Sequence, residues 1–117
     1  MFLQVDHAIL DVFVVSKQFV LSCYKATKSF ASEEKFGITS QIRRAALSVH
    51  LNIAEGCSRK SLVERRRFFE IARGSAIEVD AALDVAVELN YTDREKLSEL
   101  GEFHKRSFQM ISKMISK

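Results

Sequence analysis

The chain has 117 residues, 47% hydrophobic and 28% charged, with a formal net charge of +3. That is one domain's worth of sequence with the composition of a globular protein, not of a disordered or fibrous one. It has no proline and only four glycines, Gly37, Gly56, Gly74 and Gly101, so it lacks the turn punctuation that an all-β sandwich of this length needs.

The first 15 residues are apolar, but Asp6, His7 and Asp11 interrupt them and no basic segment precedes them, which argues against a signal peptide. A first helix is expected from Asp6, as N-cap, to Ser29, because Ile9, Val12, Phe13, Phe19, Val20, Cys23 and Ala26 recur at helical spacing. Phe30 to Ile38 reads as a connection. Thr39 or Ser40 then caps a second helix with the stripe Ile42, Ala45, Ala46, Val49 and Ile53, and Gly56 stands where a C-terminal cap belongs. Ser61 and Glu64 form a capping box that opens a long third helix reaching Leu89, with Phe69, Ala72, Ala76, Val79, Leu83 and Ala86 on one face. A second box, Thr92 with Glu95, opens the last helix, striped by Leu97, Leu100, His104, Phe108, Ile111 and Ile115. Four helices joined by short connections predict an all-α fold, an antiparallel up-down-up-down four-helix bundle, as one domain over residues 1–117.

The third helix also carries Phe68, Ile71, Val85 and Leu89, and the first carries Leu10, Val14, Leu21 and Tyr24. Such stripes are wider than one core requires and point to self-association. No uncharged stretch approaches the roughly 20 residues that span a bilayer, so no membrane partner is expected. Cys23 and Cys57 fit no metal or redox spacing and are too few for a secreted disulfide scaffold. They read as buried or half-buried free thiols, in keeping with a cytoplasmic protein.

Catalytic signatures are missing. His7, His50 and His104 fall on three helices without ligand-like neighbours, and there is no phosphate loop, nucleophile elbow or His-Glu-x-x-His motif. No catalytic residue, metal or cofactor is assigned; His104 is expected as a hydrogen-bonded core histidine and His50 as a solvated one. Arg44, Asn52, Glu55, Arg73, Ser75 and Glu78 lie where the second and third helices face each other, and form a candidate polar network fixing their register, with Arg44 or Arg73 as the partner of the carboxylates. Glu55 and Glu78 doing acid–base work in a pocket between subunits is the enzymatic alternative.

Charge is unevenly spread. Arg59, Lys60, Arg65, Arg66 and Arg67 crowd the start of the third helix, with Arg43 as a further member, whereas Glu78 to Glu102 is mainly acidic. A helix start already favours anions through its free N–H groups. The cluster therefore reads either as a surface for RNA or DNA phosphates or as a plain solvated face.

Three runs carry a family likeness: Gln41-Ile42-Arg43-Arg44-Ala45-Ala46-Leu47-Ser48-Val49, then Asn52-Ile53-Ala54-Glu55-Gly56, then Phe68-Phe69-Glu70-Ile71-Ala72-Arg73-Gly74-Ser75. Together they closely resemble the 23S rRNA intervening-sequence protein family of bacterial four-helix bundles. That family is similar to the accessory protein of diversity-generating retroelements, a basic pentamer that binds nucleic acid and a reverse transcriptase. The kinship implies a homopentamer, possible nucleic-acid and protein partners, and no catalytic residues. One departure is Ala31 after Phe30, where the family often has proline. The reading is a non-enzymatic oligomer contacting nucleic-acid backbones; its alternative is a scaffold that docks a partner enzyme without touching nucleic acid.

Overall fold

The computed structural model describes residues 2–3 and 7–116, and the backbone alone for His7, Ala8 and Ile9. Four helices follow one another: α1 His7–Thr27, α2 Ile38–Ser58, α3 Leu62–Glu88 and α4 Ser98–Ile115, with a single 3-10 turn, Ser32–Glu34, between α1 and α2. Each packs on its neighbour in sequence and α4 closes the ring on α1. Cross-helix contacts run in opposite directions along each pair, Ser16 with His50 and Thr27 with Arg43, Gln41 with Glu78 and Ser48 with Ser75. This is the up-down-up-down bundle expected from helical periodicity and short connections. Its long dimension, 43 Å, matches the roughly 40 Å of a 27-residue helix.

The core is the predicted set of stripes. Val12, Phe19, Ile42, Val49, Ile53, Val79 and Ile111 are all but inaccessible, with Ala46, Ala72, Ala76 and Ala86 filling the narrow places. Cys23 lies inside this core, and burial pushes its thiol up to about 12, so it stays a protonated, unreactive apolar group. Both cysteines are free.

Helix ends show where local signals were decisive. Ser61 Oγ accepts the Glu64 N–H at 3.3 Å, as the capping box predicts. Asn90, at φ 63°, is the non-glycine residue in the left-handed region among those described. It ends α3 in a Schellman motif, with the Asn90 N–H on Val87 O and the Tyr91 N–H on Ala86 O, both 3.0 Å. Tyr91 then packs on Phe30 and donates its hydroxyl to Glu34 at 3.0 Å. The carboxylate holding that proton raises the phenol's pKa.

Three expectations change and one is not tested. Asp6, the proposed cap of α1, lies outside the described residues. Thr39 and Ser40 do not cap α2, which starts at Ile38 after Gly37 with no side-chain cap, because Thr39 is turned into the core. The α4 start moves to Ser98; Asp93, not Thr92, supplies the oxygen, accepting the Lys96 N–H at 2.9 Å one turn earlier. Gly56 is no C-terminal cap. It sits inside α2, which continues to Ser58, and a Cβ there would lie 2.6 Å from the Phe69 ring. Its role is to let α3 approach, the other common reason for a glycine in a helix.

Candidate nucleic-acid interface

The turn between α2 and α3 is tied together by two of the predicted arginines. Arg65 reaches back across it, donating from Nε to Arg59 O at 2.7 Å and from Nη2 to Cys57 O at 3.2 Å. It thereby satisfies carbonyls that the end of α2 leaves open and places a cation at the negative end of that helix dipole. Arg59 pairs with Glu55 one turn earlier and lies over the Phe68 ring at 5.0 Å. Those two are therefore partly spent on the fold, although Arg59 keeps 40% of its side chain in water.

Lys60 and Arg67 differ. Both are exposed, and neither is hydrogen bonded or ion paired to a described residue. Arg66 is exposed beside them, as are Leu62 and Val63. Successive residues on α3 turn by about 100°, so Lys60, Arg66 and Arg67 form a blunt cationic tip instead of a single-sided stripe. The one acid in this first turn, Glu64, is exposed.

Arg43 does not join them. It lies sixteen positions before Arg59, about 24 Å along the helix axis, and is held by the end of α1: Nε donates to Thr27 Oγ1 at 2.8 Å, Nη2 donates to Tyr24 O at 3.3 Å, and the guanidinium lies over Tyr24. The structure thus assembles Arg59, Lys60, Arg65, Arg66 and Arg67 at one end and separates Arg43 to the other.

The predicted polar network divides into separate contacts. Ser48 and Ser75 are hydrogen bonded across the α2–α3 seam at 2.9 Å, and Asn52 donates to Ser48 Oγ at 3.0 Å and to Ser48 O at 2.9 Å. Ser48, the centre of this group, escaped the sequence reading because a lone serine at a helical position carries no signal; its place within a turn of Asn52 was the available clue. Neither Arg44 nor Arg73 serves the carboxylates. Arg44 is exposed on the solvent side of α2, Arg73 lies over Phe108 of α4, and the carboxylates turn to closer groups: Glu55 to Arg59, Glu78 to Gln41. Glu55 and Gln41 are fourteen positions apart, about 21 Å along α2, so Glu55 and Glu78 do not meet as an acid–base pair within one chain.

The histidines divide likewise. His104 donates from Nε2 to Ala76 O at 2.8 Å and packs edge-on to Phe19, as a core histidine should. His50 is not solvated: it is half-buried, hydrogen bonded to Ser16 at 2.6 Å and edge-on to Phe13. Burial, helped by the nearby Lys17 charge, lowers its pKa. Among the described residues no cluster of His, Cys, Asp and Glu is arranged to hold a metal, and no helix is long and apolar enough to cross a membrane.

Residues 9–117 match the family described as 23S rRNA-intervening sequence protein. The chain belongs to that family. Within the matched residues, the Asn52–Ser48–Ser75 bonds and the close approach of Phe69 to Gly56 join α2 to α3. No curated protein matches the chain. Among solved structures it is similar to a protein of unknown function of the S23 ribosomal protein family from Bacteroides thetaiotaomicron, at 22% identity and a TM-score of 0.84, covering 94% of this chain and 99% of that one. That likeness carries the four-helix fold and nothing more.

Proposed function

We propose that the protein is a non-enzymatic, cytoplasmic homo-oligomer that binds the phosphate backbone of RNA or DNA through the α2–α3 tip. The observation that carries this reading is the exposure of Lys60 and Arg67 without partners among the described residues, on a turn that Arg65 bridges with two hydrogen bonds. Cations that the fold does not use, mounted on a helix start that is already formed, attract phosphate with only their own side chains left to order. With Arg43 removed, the footprint is Lys60 and Arg67, backed by the field of Arg59, Arg65 and Arg66. The contacts invoked are to phosphate alone, which carries no sequence information, so this reading predicts binding without sequence preference.

Self-association is supported by apolar residues turned to solvent. Leu10, Val14 and Leu21 on α1, Leu47 and Leu51 on α2, and Ile71, Ile77 and Val85 on α3 are 38–54% exposed, whereas α4 has no large hydrophobic so exposed. Gly74, on the outward face of α3, has no atom near the position a Cβ would take, which allows another chain to come close. The pentamer of the related retroelement protein is the subunit number we propose. Light scattering at micromolar concentration tests it, with the mass of one chain as the contrary result.

The binding reading is tested by fluorescence anisotropy of a labelled structured RNA. Two phosphates per chain predict an affinity falling roughly tenfold between 50 and 200 mM salt. An affinity that ignores salt, or no binding at 50 mM, contradicts it.

A further inference from the structure

At the opposite end of the molecule the α3–α4 side is acidic. Between Glu78 and Glu102 eight carboxylates face only Arg94 and Lys96 as cations. Here α3, α4 and the connection between them line a groove of about 370 Å³, a size that accepts a few side chains. Leu83, Val87, Leu97 and Leu100 line it, Leu83 and Leu100 being buried, while Asp80, Asp84 and Glu102 are exposed on its rim. Arg94, 3.6 Å from Asp84, answers one of these charges, which leaves Asp80 and Glu102 in excess.

Gly101 also lines the groove, within α4, and has no atom within 4 Å of the place a Cβ would occupy. Unlike Gly56, it is required by no contact inside the bundle, although glycine weakens a helix relative to alanine. A Cβ at this position would enter open space at the groove.

We propose that this groove binds a cationic segment of a partner protein, with apolar side chains entering between α3 and α4 while lysines or arginines meet Asp80 and Glu102. An apolar floor with an anionic rim selects that combination: nucleic acid is repelled, and a purely polar polycation leaves the floor unfilled. The site stands on residues remote from the cationic tip and does not rest on its assignment.

The test is titration of the full chain with a labelled peptide whose lysines flank a pair of leucines. Binding should weaken about tenfold or more in Asp80→Asn/Glu102→Gln. It should weaken equally in Gly101→Leu, which keeps every charge but fills the groove, and whose melting temperature should not fall. Lys60→Glu/Arg67→Glu should bind the peptide as the parent does. The proposal is overturned if the parent does not bind, if Gly101→Leu binds as well as the parent, or if spermidine displaces the peptide as well as unlabelled peptide does. It is also overturned if the rim variant abolishes a salt-sensitive self-assembly of the parent, which makes the occupant a second copy.

Discussion

The seam between α2 and α3 and the turn joining those same helices use neighbouring residues under opposite rules. In the seam polar side chains are paired with one another: Asn52 bonds to Ser48, Ser48 to Ser75, Glu78 to Gln41. At the turn, Lys60 and Arg67 hold charge that no described neighbour answers. The difference separates residues that specify the bundle from residues left over for binding, and each prediction presses on one side of that division.

The largest effect belongs to Phe69, 5% exposed in the core. Phe69→Ala should cost about 3–5 kcal/mol by leaving a cavity, measured as a lower urea midpoint at an unchanged m-value. Gly56→Val should follow at about 1–3 kcal/mol, because its Cβ is placed against the Phe69 ring. Pairing Gly56→Val with Phe69→Leu should recover part of that loss; if it does not, the close approach at Gly56 is not what the glycine serves. Asn52→Ala removes two hydrogen bonds centred on Ser48 and should cost about 1 kcal/mol.

His50 gives a smaller, pH-dependent effect. Its folded-state pKa is lowered, so the folded chain prefers the neutral ring and the unfolded chain binds the proton more readily. Its contribution is therefore complete above the ordinary histidine value of about 6.5. It is lost as the pH falls from there through the lower folded value. The difference in stability between His50→Gln and the parent should change between pH 7.5 and pH 5, with the parent the more acid-sensitive of the two.

The bundle itself was readable, because buried stripes at Ile42-Ala45-Ala46-Val49-Ile53 and Phe69-Ala72-Ala76-Val79 are set by helix period alone and became the core. Gly56 was misread because one letter encodes two physical needs, a left-handed backbone or the absence of a Cβ, and only the position of Phe69 tells them apart. The position that did need left-handed backbone was filled by Asn90. The cationic cluster was legible as composition but not as surface. Whether an arginine is occupied depends on carbonyls brought to it by folding, as Cys57 O and Arg59 O are brought to Arg65.

The division between seam and turn is tested most directly by measuring stability and RNA affinity on one preparation of Lys60→Glu/Arg67→Glu. Exposed residues outside the packing should shift unfolding by less than about 0.5 kcal/mol, while the labelled RNA that the parent binds at 50 mM salt should no longer bind measurably. Unchanged RNA affinity, or binding lost only together with stability, would contradict the claim that the tip is a binding surface independent of the fold.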